Sequence, residues 1–196
     1  SFGVDGTDSA GDFTTAAGES VPNSFTLSEG FVSSYFSDFS KAYFAGGRSS
    51  PSGRTDDIRR IPFATDTIAN NIGSLTQQTY STAGHSSSTH GFTSGGDGPG
   101  VDPRTIDKFP FASDGDAVDV SDLNYGRENH AGHHSSTDGY TSGGNPPYTS
   151  NIVNKFPFSS TSNSTIFNEL TVQRYQLAGV SSPTHAYMIG GATPGG

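Results

Sequence analysis

Thr89-His90-Gly91-Phe92-Thr93-Ser94-Gly95-Gly96 is the stretch that decides the fold, because the chain writes it more than once. It returns as Thr137-Asp138-Gly139-Tyr140-Thr141-Ser142-Gly143-Gly144 and again as Thr184-His185-Ala186-Tyr187-Met188-Ile189-Gly190-Gly191. An earlier copy with fewer matches is Lys41-Ala42-Tyr43-Phe44-Ala45-Gly46-Gly47. The second glycine of each pair stands at 47, 96, 144 and 191, so the steps are 49, 48 and 47. A period of about 48 residues marks an array of one supersecondary unit, in which stacked copies bury what a single copy cannot.

Working outward, each copy is preceded by a short run of small residues. Ala83-Gly84-His85-Ser86-Ser87 matches Ala131-Gly132-His133-His134-Ser135 and Ala178-Gly179-Val180-Ser181-Ser182. This run reads as strand a, and the opening stretch as strand b, with its Gly-Gly pair making the exit turn. Turn residues such as Asp97-Gly98-Pro99-Gly100 follow. Strand c is Ile106-Asp107-Lys108-Phe109-Pro110-Phe111, with counterparts ending in Pro62-Phe63 and Pro157-Phe158. Proline has no N–H for a ladder, so strand c is expected to end or bulge there. Strand d closes at Leu75, Leu123 and Leu170. Gly, Pro, Asn and Asp punctuate the joints, and no stretch shows helical periodicity with caps. The expectation is an all-β chain of four-stranded antiparallel units ordered a-b-c-d.

The ends fit the same pattern. Asp12-Phe13 lies 50 residues before Pro62-Phe63, and Ser24-Phe25 lies 50 before Ser74-Leu75. Residues 1–28 therefore read as a degenerate c-d pair, and 172–196 as an a-b pair without its c-d partner. Full repeats are expected at 29–76, 77–124 and 125–171, with the first strand a near 31–37. One sheet is split between the two ends and is completed within one chain or by a neighbouring subunit. Residues 1–12, rich in Gly, Asp and Ser, carry no clear assignment. The first residue is Ser1 rather than Met, as expected of a processed chain or of a segment of something longer.

Composition narrows the function. Of 196 residues, 26 are Gly and 14 Phe, hydrophobic residues make up 30% and charged residues 15%. So lean a core is compatible with disorder, but phased aromatics have no use in a disordered tail. The net charge of −9 comes without a basic patch, which argues against nucleic acid as a partner. No apolar run approaches the ~20 residues of a membrane span, so insertion is not expected. With no Cys, disulfides and thiolate metal sites are excluded. No P-loop, dinucleotide, metalloprotease or Gly-x-Ser-x-Gly motif is present, so the chain is expected not to be an enzyme.

The aromatic-x-x-Gly-Gly runs at Phe92–Gly96, Tyr140–Gly144 and Tyr187–Gly191 resemble the kelch-type β-propeller repeat. Leu75, Leu123 and Leu170 stand where kelch repeats usually carry Trp. The Phe-Pro-Phe and Tyr-x-Ser-Gly-Gly phrases, over residues ~53–191, are similar to kelch-like repeats in structural proteins of aquatic phages. The resemblance implies four blades in a small propeller, and a non-enzymatic structural or adhesion module of a virion: a tail fibre, an appendage or a head decoration. It implies a place on the virion surface or outside the cell, self-assembly or contact with other virion proteins, and recognition of a surface glycan. The alternative is a secreted bacterial surface propeller that binds carbohydrate or forms filaments.

Candidate binding residues follow from the loops expected at one end of the blades. Tyr80, Tyr125, Arg127, Arg174 and Tyr175 lie in the d-a connections, and Tyr148 in a b-c connection. Tyr and Arg on a rigid scaffold suit sugar stacking or protein contact. Asp114, Asp116 and Asp119 offer hard oxygen ligands at a spacing that suits Ca²⁺, the one cofactor the pattern raises. His85 and His133 share one place in strand a, and His90, Asp138 and His185 one place ahead of strand b. Both sets are expected to serve local hydrogen bonding.

Overall fold

The computed structural model describes residues 4–7, 13–15, 20–21, 40–49, 53–65, 67–145, 150–182 and 184–194. The chain divides into two units, Ser1–Phe36 and Ser37–Gly196. In the first, β1 (Val4–Thr7), β2 (Phe13–Thr15) and β3 (Ser20–Val21) pair antiparallel in chain order.

In the second unit the sequence repeat is a repeat of sheets. The first repeat sheet holds β4 (Lys41–Ala45), the short β5 (Arg48–Ser49), β6 (Gly53–Pro62) and β7 (Asn70–Thr79), with β6 pairing β4, β5 and β7. The second is β8 (Ala83–Ser86), β9 (His90–Ser94), β10 (Thr105–Pro110) and β11 (Val118–Asp122). The third is β12 (Ala131–His134), β13 (Asp138–Ser142), β14 (Ile152–Pro157) and β15 (Thr165–Glu169). A last hairpin joins β16 (Tyr175–Ser181) to β17 (Ala186–Ala192). Neighbouring strands in the second and third sheets follow chain order, so the a-b-c-d reading holds strand for strand there. All strand pairs are antiparallel, and no helix occurs among the described residues. The expected first strand a lies outside the described residues.

Local chemistry explains the connections. All four Gly-Gly pairs adopt positive φ, as at Gly95 (62°) and Gly96 (117°), where an L side chain would be strained. The Gly95 N–H donates to Thr105 O at 3.0 Å, and the Gly96 N–H to Arg127 O at 2.9 Å. One glycine therefore closes the b-c turn and the other ties it to the loop ahead of the next strand a. The a-b hairpins are held by serine: Oγ of Ser87, Ser135 and Ser182 accepts the N–H of His90, Asp138 and His185 at 3.0, 3.0 and 3.1 Å. Thr89, Thr137 and Thr184 bond the side chains of those same three residues, the local role expected for them. Pro62, Pro110 and Pro157 are the last residues of their strands.

Strand alternation gives each sheet one face toward the preceding sheet and one toward the following sheet. Phe109 and Phe111 of the second sheet pack back onto the first, against Ile58, Ile72, Leu75 and Tyr43. Phe156 and Phe158 of the third pack back onto Phe92, Ile106 and Leu123 of the second. The strand b aromatic meets the second phenylalanine of the following sheet at 4.5 Å in both joints, Tyr43 on Phe111 and Phe92 on Phe158. Polar contacts repeat as well. The Ala117 N–H donates to Ser74 O at 2.8 Å while the Asp116 carboxylate accepts the Ser74 N–H at 2.9 Å. The same clamp recurs one repeat later, from Ser164 N–H to Asp122 O at 2.8 Å and from Asp122 N–H to Asn163 Oδ1 at 3.0 Å.

At strand a the sheets come much closer. A side chain at Gly132 would run into the Gly84 carbonyl, and one at Gly179 into the Gly132 carbonyl. The small residues of strand a are thus set by the approach of neighbouring strands. Because the joint depends on buried rings, Phe156→Ala is expected to cost about 3–5 kcal/mol, the range for deleting a core phenylalanine. Urea unfolding should read this as a lower midpoint, and an unchanged midpoint would contradict the joint as described.

Candidate functional site

The d-a connections share a backbone feature that the sequence did not announce. Ser81 and Asn129, ahead of their strands a, and Gln176, the second residue of β16, all have positive φ, at 59°, 53° and 56°. Non-glycine residues hold this conformation only under constraint. Here the Asn129 N–H donates to Ser81 O at 3.2 Å and the Gln176 N–H to Asn129 O at 2.7 Å, so the loops of successive repeats are laced together. On the first of these loops the Tyr80 hydroxyl donates to the Asp97 carboxylate, and the Arg48 guanidinium lies 4.5 Å over the Tyr80 ring. The bond from Tyr80 holds the Asp97 carboxyl below its usual range and pushes the phenol up. Burial, with Asp97 as a negative neighbour, raises the Glu128 carboxyl.

The other expected recognition residues are dispersed. Tyr125 is exposed. Tyr175 is half-buried and paired with Ala192 across the last hairpin. Arg174 donates to Gly190 O at 2.9 Å within that hairpin. Tyr148 lies outside the described residues. Arg127, expected on the loop surface, is buried instead. Its Nη1 donates to Gly143 O at 3.0 Å and Ile152 O at 3.1 Å, and its Nη2 to Asn154 Oδ1. Burial lowers its pKa to about 10. Arg127 is therefore a strut of the third sheet, and it is closed to a glycan.

The aspartates expected to gather around Ca²⁺ are placed apart in role. Asp114 accepts from Arg60 at 2.6 Å and Asp116 clamps Ser74, so both serve the joint to the first sheet. Asp119 pairs with Asp107 across β10 and β11. No group of three or more metal-ligating side chains occurs among the described residues.

Between the sheets, near strand a, runs a buried polar chain that sequence reading only half saw. The His85 Nδ1–H donates to His133 O at 2.9 Å, and its Nε2 accepts from the Ser94 hydroxyl at 2.8 Å. The His130 Nε2–H donates to Ser94 Oγ at 3.2 Å. This assignment makes both rings neutral. Burial lowers the His85 pKa to about 3 and holds His130 well below its ordinary value. His130 was missed because its counterparts, Thr82 and Leu177, share no chemistry with it, so the period does not flag it.

The third sheet and the last hairpin enclose a cleft of about 290 Å³. Tyr140, Val153, Phe167 and Glu169 line one wall, and His185, Ala186 and Met188 the other. Tyr140 is the counterpart of Tyr43 and Phe92, which each meet a phenylalanine from the following sheet. Here the ring has only Phe167 of its own sheet, edge-on at 5.3 Å, among the described contacts. The cleft thus occupies the place that strand c fills in the two complete joints.

Neither a scan against protein-family models nor a search of curated proteins returns a match.

The buried histidines set a pH dependence. Their folded pKa values lie below the unfolded value near 6.5, so below pH ~6.5 the unfolded chain binds more protons and stability falls. The contribution is fully present above pH ~6.5 and is lost progressively toward the folded value of about 3 at His85. With roughly 1.4 kcal/mol per pH unit for each of two rings, about 3–4 kcal/mol should be gone by pH ~5. Urea titrations at neutral pH and at pH ~5 test this, and equal midpoints would refute it.

Proposed function

We propose that this chain is a non-enzymatic structural and adhesion module that assembles through its repeat joints, as part of a phage virion. In finer detail we propose a small kelch-like propeller of four blades, with the split blade completed by residues 1–28 of the same chain or of a neighbouring subunit. The observation that carries the reading is the cleft beside Tyr140. Two joints in the chain are filled by a Phe-Pro-Phe strand, and the third offers the same walls without one. Residues 1–28 contain Phe13 at the phase of Phe63, Phe111 and Phe158. The wedge between sheets, thin at the strand a glycines and thick at the strand c phenylalanines, supports a curved arrangement of blades.

The polar residues usual in catalysis are committed elsewhere in this reading. His85, Ser94 and His130 bond one another, and Asp107 holds the previous sheet through Thr76 at 2.7 and 2.9 Å. Adhesion belongs to the loop surface, where Tyr125 is an exposed aromatic and where the Arg48-Tyr80-Asp97 cluster presents a fixed charge pattern. A host-surface glycan or protein is its expected ligand.

Removing residues 1–28 tests the reading. Losing a phenylalanine-filled joint costs about 3–5 kcal/mol. At roughly 2–4 °C per kcal/mol for a chain of this size, the melting temperature should fall by about 6 °C or more. A truncated chain that melts with the intact one would remove the split blade. A glycan array probed with Tyr125→Ala beside the unaltered protein tests adhesion separately, and equal binding by the two would take Tyr125 out of it.

A further inference from the structure

The two ends of the repeat array both expose apolar side chains among the described residues. On the last hairpin, Val180 pairs across the strands with Tyr187, and Ile189 lies two residues beyond Tyr187 on the same face. Val180 and Tyr187 are each 51% exposed, and Ile189 is 56% exposed. This is the face that in earlier sheets meets the following repeat, because Phe92, the counterpart of Tyr187, stacks there on Phe158. At the other end, the first sheet carries Phe44, 55% exposed, and Phe63, 65% exposed, with Ile61 beside them. This is the face that in later sheets meets the preceding repeat, since Phe109 and Phe111, the counterparts of Ile61 and Phe63, pack back onto the first sheet.

The end faces differ from the internal ones in a coordinated way. Internally, the face toward the following repeat buries a His–Ser pair, with His85 bonded to Ser94 and the same residue types at His133 and Ser142. On the last hairpin those two positions are Val180 and Ile189. Internally, the opposing face carries Thr93 and Thr141, and on the first sheet that position is Phe44. The hairpin face has lost both polar side chains, and the first sheet has gained Phe44 beside the exposed Arg59–Asp57 ion pair. Terminal repeats that face water carry polar outer surfaces, and these expose aromatic and aliphatic side chains as well.

We propose that the last hairpin of one copy docks on the first sheet of a second copy, head to tail, through Tyr187 stacked on Phe63 and Val180 and Ile189 packed on Phe44. Both faces are exposed among the described residues of the second unit, and docking between copies takes the place of a four-blade ring closed within one chain. Such heterologous contacts close into rings or run on as filaments. Two copies joined at both ends would bring together about eight blades, the upper end of the ~4–8 found in propellers. The inference rests on the reading of the chain as a self-assembling repeat array and names its interface.

The chain has no cysteine, so introduced thiols report on this contact alone. Phe63→Cys and Tyr187→Cys are made singly and together in the full chain and treated with a short bismaleimide. A covalent dimer is expected when the two single variants are mixed, far above either alone, and covalent multimers from the double variant. A product cross-linked only within one chain, or no cross-link at all, would overturn the proposal. Ile189→Glu should lower the mass found by light scattering to that of a single chain, with the far-ultraviolet circular dichroism unchanged because the residue is exposed. An unchanged mass with intact fold would also overturn it. Truncation of residues 1–28 reads the filling of the cleft beside Tyr140, and the cross-link reads the outer face of the hairpin, so failure of one is told apart from failure of the other.

Discussion

The fold depends on one insertion, the strand c phenylalanines entering the face of the sheet before them. Strands made largely of Gly, Ser and Thr bury little when they pair, and a single sheet of this composition would be marginal. Phe109 and Phe156 are each almost wholly buried, and each side chain contributes about 1.5–3 kcal/mol on leaving water. Concentrating the apolar area in a few phased rings explains how a chain with 30% hydrophobic residues folds at all. The proline between the two rings ends the strand there, and the Asp116 and Asn163 clamps fasten the turn that follows onto the previous sheet.

A thick joint at strand c imposes a thin one at strand a. Glycines 132 and 179 bring neighbouring strands close enough to exclude a methyl group, which leaves no room there for a second layer of rings. The polar chain of His85, Ser94 and His130 occupies the space between thin and thick regions. Buried polar groups are tolerated when bonded, and His85 achieves this by reaching the carbonyl of His133 in the next strand a. His133, one repeat later, lies beside the backbone of Val180 in the last strand a, and burial likewise holds its pKa below the ordinary value.

Much of this was legible because the period carries it. Strand order, the Gly-Gly exits and the proline stops all fall on residue types that recur at the same phase, as at Gly96 and Gly144 or Pro110 and Pro157. What escaped is what the repeats do differently. Ser81, Asn129 and Gln176 share a backbone conformation without sharing a residue type, so only coordinates reveal it. Arg127 looked like a surface residue because arginine in a loop usually is one, and its burial depends on Asn154, which lies beyond the reach of local pattern. Asp114 and Asp116 looked like ligands in a free turn, because the sequence does not say that the turn lies against Arg60 and Ser74 of another sheet.

The same comparison of phases makes the ends informative. A single polar-to-apolar change at a buried place costs little if its partner is water, but it leaves a bonding group stranded if the partner is polar and enclosed. Replacing His and Ser together by Val180 and Ile189 strands nothing on the hairpin. Phe44, standing where the internal sheets carry threonine, offers an apolar ring to such a pair, with the Arg59–Asp57 ion pair beside it. Leaving Phe44, Phe63, Val180, Tyr187 and Ile189 exposed at the two ends of the array runs against solubility. The stacking geometry already used twice at 4.5 Å supplies the arrangement in which that exposure ends.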